Sequence, residues 1–357
     1  MPDSKGKGKL KLLLILQYLE QHSDETHPVS TEELTAMLLE HGIECERKSI
    51  YSDIQTLRDF GLEVLRVKSP CNGYQLMTRT FEVPELRLLM DAVQAATFIT
   101  PNKTEEMLGK IGTLCSESHA KALRKQIGEN HKSKYANEEI YHNIETIHKA
   151  IALGKKISFR YCKRELDDKN KGIRLSEKDF TVSPYALIWS DDKYYLVSNH
   201  EKYDNLMHTR LDRMKGVRMI SRSIRPAAEV SPYRNGFDAA DYAAKAFHMF
   251  SGALEPLTVR CDQSLLEEIL DRFGTDITIT KARRDSYFTM QTESIVSDGL
   301  VSWIMQFSSR VEVLSPPELR AKLKKRAEEV FAIYENDPAL PEQTEESENE
   351  NEENNHS

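Results

Sequence analysis

Arg210 and Arg213 close a short strand pattern, Met207 to Arg213, and Tyr185, Tyr194 and Tyr195 lie on the patterns just before it. A guanidinium offers two parallel donors to a phosphate, and a tyrosine ring offers a platform for a base. Arginine beside tyrosine on adjoining strands is therefore the chemistry of nucleotide recognition. Strand alternation puts Thr209 and Leu211 inward and His208 and Arg210 on the other face. Arg213 shares the parity of Leu211 and joins Arg210 only across a bulge. The competing reading makes Arg210 structural, satisfied by Asp212 or a backbone carbonyl. Spacing leaves the two level.

A second constellation lies near the N-terminus. Ile50, Ile54 and Leu57 recur at i, i+4 and i+7, which predicts a helix with one buried face. Its other face presents Arg47, Lys48, Ser49, Tyr51, Ser52, Gln55 and Arg58. Hydroxyl, amide and cationic groups of this kind read base edges and pin phosphates in a major groove. Arg66, Lys68 and Asn72, on the hairpin pattern that follows, are placed to hold the neighbouring backbone. A solvated helix face and a protein-binding surface are the alternatives. Residues 1–79 hold ten Lys/Arg against twelve Asp/Glu, so the segment is not basic as a whole. The cations cluster on the helix and hairpin, which favours DNA.

Motifs of catalysis are missing. The sequence has no G-x-G-x-x-G, P-loop, H-E-x-x-H or G-x-S-x-G, and His200-Glu201 lacks a second histidine. Asp167-Asp168 and Asp191-Asp192 read as turn residues. The expectation is no catalytic residue, no metal, no cofactor and no enzymatic activity. Five dispersed cysteines without a C-x-x-C pair read as reduced thiols. The apolar run Leu12 to Leu16 is too short for a signal peptide, and no apolar run approaches membrane-spanning length. A cytoplasmic protein without membrane contact is expected. The net charge of -8 comes from nine acids between Glu335 and Ser357, a stretch with no Lys or Arg. The remainder carries about one positive charge, so overall acidity does not argue against a nucleic-acid partner.

The elements that must position these groups follow in order. Residues 1–80 predict three short helices, the second opened by a capping box at Ser30 and Glu33, then a hairpin around Asn72-Gly73: a winged helix-turn-helix. Residues 81–135 read as a helical bridge. Residues 136–225 hold a helix and five short strands, enough for a small closed barrel. Within them the basic stretch Lys155–Lys178 reads as a solvated loop. Residues 226–255 read as a linker, and 256–335 follow the β-α-β-β-α-β order of a ferredoxin-like module, including Arg283-Arg284. Residues 336–357 read as a disordered acidic tail.

Four motifs, in this order, resemble the WYL domain. They are Phe159-x-Tyr161, Val182-Ser183-Pro184-Tyr185-x-Leu187, Tyr194-Tyr195-Leu196-Val197 and Arg210-Leu211-Asp212-Arg213-Met214. The layout around them is similar to that of WYL-domain transcriptional regulators, over nearly the whole chain except the acidic tail. The resemblance implies an SH3/Sm-like barrel that senses a nucleotide or nucleic-acid fragment. It places effector positions at Arg210 and Arg213, with the tyrosines and His208 nearby. Tyr194 stands where the family has tryptophan and Thr209 where phenylalanine is common. Ser52 stands where arginine is frequent, and Glu46 replaces a Ser or Thr cap.

The chain thus reads as an α+β multidomain, ligand-responsive regulator. Its expected partners are double-stranded DNA, a nucleotide or single-stranded nucleic-acid effector, and a second copy, since a lone half-site reader buries little surface. A winged-helix protein-interaction module and a nucleotide-processing enzyme are the rival readings.

Overall fold

Apolar stripes on three helices converge on a hairpin to make the first core. The computed structural model describes residues 4–127, 134, 137–167, 172–281 and 285–335, in two compact units, 1–237 and 238–357. Helices α1 (Ser4–His22), α2 (Thr31–Glu40) and α3 (Arg47–Asp59) precede strands β1 (Val64–Val67) and β2 (Gly73–Leu76). Ile15, Leu19, Leu34, Leu38, Ile50 and Ile54 meet Val64 and Leu76 in the interior. The capping box forms as its sequence predicts. The Ser30 hydroxyl accepts from the Glu33 N–H at 3.1 Å, and the Glu33 carboxylate accepts from the Ser30 N–H at 2.7 Å. Val29 adds a rung to the hairpin by exchanging both backbone bonds with Tyr74, at 2.9 and 2.7 Å. Gly73 permits this approach, because a Cβ there would lie 2.7 Å from the Val29 carbonyl oxygen.

Helices α4 (Val83–Ala95), α5 (Pro101–Gly112) and α6 (Glu117–Gln126) enclose a smaller core around Leu86, Met90, Leu108 and Leu123. Two polar junctions join it to the first core. The buried Asp24 carboxylate accepts from the Ser116 hydroxyl at 2.7 Å and from the Thr26 and His27 N–H groups at 2.9 and 2.8 Å. The Arg79 guanidinium donates to the Leu19, Glu20 and Ser23 carbonyls at the end of α1, which satisfies acceptors a helix terminus leaves open. Between α4 and α5, Phe98 stacks on Tyr194 at 5.4 Å and Thr97 donates to the Asp192 carbonyl at 2.7 Å.

A five-stranded antiparallel sheet completes the first unit. Helix α7 (Ile140–Ala152) precedes β3 (Lys155–Asp167), β4 (Gly172–Ser190), β5 (Lys193–Asn199), β6 (Met207–Arg210) and β7 (Met214–Ser223). Ile140 and Ile147 of α7 pack on Ile157, Phe159, Val182 and Leu196 of the sheet. The strand order is β6-β5-β4-β3-β7. Long β4 changes partner midway: it pairs with β3 through Val182 and with β5 from Ser183 onward.

Two expectations need correction. The sheet does not close into a barrel. Strands β6 and β7 are its two edges, and among the described residues no rung joins them. Four residues of β6 pair only with β5, and the chain then turns away after Arg210. The stretch Lys155–Lys178 is also not a loop, because β3 and β4 extend through its described residues as a hairpin arm. Cross-strand charges pay for that exposure. Arg160 faces Asp179 and Glu165 faces Arg174 in register, each pair at 3.3 Å.

The second unit holds α8 (Ala239–Lys245), β8 (Ala253–Asp262), α9 (Leu266–Phe273), β9 (Thr278–Thr280), β10 (Tyr287–Val296), α10 (Asp298–Met305), β11 (Val311–Ser315) and α11 (Pro317–Glu335). Its antiparallel sheet runs β11-β8-β10-β9. Leu257, Val259, Phe288 and Met290 pack on Ile269, Leu300 and Ile304. The stretch expected as a linker thus includes α8, capped by Asp238 and anchored by buried Tyr242. Only the first part of α11 is covered, by way of Leu319 and half-buried Leu323. Arg283-Arg284 and the tail from 336 lie outside the described residues.

Candidate functional site

The connection between the edge strands β6 and β7 builds the principal site. Leu211–Arg213 form one turn of 3-10 helix, held to the core by buried Leu211 and Met214. The Asn137 amide donates to the Asp212 and Met214 carbonyls at 3.2 and 2.9 Å, and buried Asn143 of α7 donates to Met214 at 3.1 Å. This turn, rather than a bulge, overcomes the parity of a strand. Arg210 and Arg213 line one cavity of about 480 Å³ together with Arg164, Lys215 and Cys162. Four cations there face one lining carboxylate, Asp212. Arg164 comes from β3 beside its rung partner Leu175, and Lys215 from β7 opposite Arg160. The sequence reading singled out neither residue.

Arg210 is engaged. Its Nε and Nη2 donate to the Asp212 Oδ1 and Oδ2 at 3.0 and 2.9 Å, and its backbone N–H donates to the Tyr161 hydroxyl at 3.4 Å. The structural ion pair and the pocket therefore coexist. Lys215 lies 3.7 Å from Glu177. Among the described residues, Arg164 and Arg213 make no ion pair. A phosphate entering the cavity would meet these two guanidiniums first, without displacing a carboxylate.

Of the three tyrosines, one adjoins Arg210. Tyr195 is its direct rung partner, with a phenol that burial pushes up while Arg210 pulls it down. Tyr194 points to the opposite face and stacks on Phe98. Tyr185 stacks on Phe237 at 6.0 Å and donates to the Arg225 carbonyl at 2.8 Å, and burial pushes its phenol up to about 12. Tyr161, which sequence reasoning did not place here, takes a position beside Arg210 through its hydroxyl. His208 follows Met207 into β6, where burial pushes its imidazole down to about 4, so it is neutral near pH 7.

The α3 face forms a separate surface. Lys48, Tyr51, Ser52 and Gln55 are exposed, and the Arg66 guanidinium of β1 stands 5.9 Å from the Tyr51 ring centre. Exposed Lys68 follows on the hairpin. Three other predicted residues already have partners. Arg47 pairs with Glu32 at 2.5 Å, the Arg58 Nε donates to the Val64 carbonyl at 2.8 Å, and the Ser49 hydroxyl accepts from Lys11. Lys11 also pairs with Asp53 at 2.6 Å, both side chains little exposed, which fixes α3 on α1. The Gln55 amide donates to exposed Asp59 at 2.8 Å.

Residues 142–219 match the WYL domain. Residues 253–331 match the WCX domain. The WYL domain thus runs from α7 into β7 and contains the turn and every cation of the cavity. Among solved structures, the chain is similar to proteasome accessory factor B/C (PafBC) of Arthrobacter aurescens. The identity is 16%, over 97% of this chain and 50% of that one, with a TM-score of 0.26. The chain therefore spans about half the length of that relative. It is also similar to a CRISPR Cas-related protein, 13% identical over 92% of this chain and 84% of that chain, with a TM-score of 0.34. No curated protein matches the chain. Among the described residues no helix is long and apolar enough to cross a membrane, and no His, Cys, Asp and Glu group could hold a metal ion.

Proposed function

We propose that this chain is a ligand-responsive, DNA-binding transcriptional regulator. Residues 1–80 act as a winged helix-turn-helix, with Lys48, Tyr51, Ser52 and Gln55 in the major groove and Arg66 and Lys68 on the adjoining backbone. The WYL domain holds a nucleotide or single-stranded nucleic-acid effector by its phosphate, at Arg213 and Arg164 with Arg210 and Lys215 beside them, and Tyr195 flanks the base. The second unit is a ferredoxin-like companion, and two copies bind DNA as a homodimer. The observation that carries this reading is the convergence of four cations on one cavity at the 3-10 turn, inside the segment that matches the WYL domain.

The test is recovery of bound fragments from total genomic DNA, with and without a panel of nucleotides and short single strands. A defined set of fragments, a steep fall of affinity with salt, and a shift with one ligand class support the reading. Recovery without sequence preference at every ligand concentration would sink it. Turnover of a nucleotide would favour an enzyme instead.

A further inference from the structure

The connection between α4 and α5 is buried from end to end. Ala96, Thr97, Phe98, Ile99 and Thr100 are each at most 9% exposed. Connecting segments ordinarily run over the surface, where water satisfies their backbone. This one packs apart from the helices it joins. Ala96, Phe98 and Ile99 belong to the core of the five-stranded sheet, whereas Leu86 of α4 and Leu108 of α5 build the bridge core. Five consecutive residues thus anchor the bridge in the WYL domain.

Two ties lead from this segment to the cation cavity. The first runs through the β4–β5 hairpin. Phe98 stacks on Tyr194 at 5.4 Å and stands edge-to-face with Trp189 at 5.3 Å, and Trp189 and Tyr194 are rung partners. Tyr195, next in the chain, turns to the other side as the rung partner of Arg210. The hairpin closes at Asp191-Asp192, both in the left-handed region at φ 50° and 58°, where asparagine and glycine are usual. The Thr97 hydroxyl donates to the Asp192 carbonyl at 2.7 Å and holds that corner.

The second tie runs through the start of α7. Asn137 lines the cavity and donates to the Asp212 and Met214 carbonyls. Its neighbour Glu138 accepts from the Thr100 hydroxyl at 3.1 Å. The same hydroxyl accepts from the Lys103 N–H at 3.4 Å and caps α5. Both ties therefore end on Ala96–Thr100, and a close-packed segment passes strain on instead of absorbing it.

We propose that Ala96–Thr100 is the relay between the effector cavity and the helices that lead to the DNA-reading core. Occupancy of the cavity displaces β5 and the 3-10 turn, and Thr97, Phe98 and Thr100 carry that displacement to the start of α5. The inference rests on the proposed function, which places the effector at Arg213 and Arg164.

The first experiment uses the full chain carrying Trp303→Phe, which leaves Trp189 as its one tryptophan. Pyrophosphate and a short thymidylate single strand are the probes, with binding followed by calorimetry. A bound probe is expected to change Trp189 emission, and Arg213→Ala to abolish binding and change together. Binding at the cavity without a change of emission overturns the relay. If neither probe binds, or binding survives Arg213→Ala, the reading of the cavity fails and the relay falls with it. This arm needs no DNA, so a failure of DNA reading is told apart from a failure of the relay.

The second experiment compares Thr97→Val, Phe98→Leu and Glu138→Ala with wild type. Each variant is expected to keep its circular dichroism, its probe affinity and its probe-free affinity for the recovered genomic fragments. The factor by which probe changes fragment affinity should fall toward one, and the factor by which fragment changes probe affinity should fall equally. Thr97→Ser, which keeps the hydroxyl, should retain the wild-type factor. Unchanged factors in all three variants overturn the proposal, as does a wild type whose fragment affinity ignores a probe seated in the cavity. Variants that lose probe binding along with their fold show the segment to be structural only, which also overturns it.

Discussion

The Arg210 guanidinium grips the Asp212 carboxylate with two parallel bonds, 3.0 and 2.9 Å long, across the start of the 3-10 turn. Only 14% of the one side chain and 5% of the other is exposed. The pair therefore supports the turn, and it also sets a local competitor beside any anion that enters the cavity. Arg213, three residues from the Asp212 carboxylate's partner and without an ion pair of its own among the described residues, escapes that competition.

Replacing Arg213 by Ala should abolish the effector response and leave melting temperature and effector-free DNA binding unchanged. Arg210→Ala should instead lower stability by about 3 kcal/mol, because it strands a little-exposed carboxylate. Asp212→Asn should tighten anion binding by removing the carboxylate that competes for the Arg210 guanidinium. Denaturant unfolding and titration with a nucleotide panel measure all three. An Arg213→Ala protein that responds like wild type would place the sensor elsewhere.

On α3, Lys48→Ala and Gln55→Ala should weaken operator binding without changing stability, by about 1–3 kcal/mol wherever a bidentate base contact is lost. Ser49→Ala should behave differently, since its hydroxyl faces Lys11: a small loss of stability and little change in operator preference. Equal operator affinity in the Lys48 and Gln55 variants would remove α3 from the reading surface.

The Lys11–Asp53 pair joins α1 to α3 with side chains 10% and 18% exposed. Lys11→Met should cost about 3 kcal/mol by leaving Asp53 without its cation, and Lys11→Met/Asp53→Leu should recover most of that loss. Urea unfolding of wild type, both single variants and the double variant gives the coupling. Strict additivity would show that the pair contributes nothing.

His208 makes stability depend on pH. Its folded pKa of about 4 lies below the ordinary 6.5, so between those values the unfolded chain binds a proton that the folded chain does not. Stability should fall as pH drops from 6.5 toward 4, with no contribution from this group above 6.5. His208→Gln should flatten that slope. Urea midpoints at pH 7 and pH 5 decide it, and parallel losses in both proteins would refute the assignment.

The N-terminal helices were legible because their information is local. The stripe Ile50, Ile54, Leu57 and the reciprocal Ser30–Glu33 bonds each lie within a few residues of chain. The β3–β4 arm was not, because Lys163, Arg164, Glu165, Asp167, Arg174, Glu177 and Lys178 make it read as a charged, solvated stretch. Its strand character shows only once Glu165 and Arg174 are known to share a rung. The site divides the same way. Tyr194 and Tyr195 were both expected beside Arg210, but adjacent strand residues face opposite sides, and the rung pairing gives that place to Tyr195. The joining of Arg210 and Arg213 depends on a turn pinned by Asn137 and Asn143, about seventy residues away in sequence. Tyr161 stood in the Phe159-x-Tyr161 motif, but the reach of its hydroxyl to the Arg210 backbone required the register of three strands.

The Asp24–Ser116 bond and the Arg79 clamp have a mechanical meaning. They tie the start of α6 and the segment leading into α4 to the core that carries α3, so a displacement of α6 should be passed to that core. The proposed reading face on α3 would be re-aimed rather than reshaped, like a key turned by its bow. Loosening the coupling, as Ser116→Ala does, should let that core swivel independently of α6 while the exposed side chains of α3 keep their place.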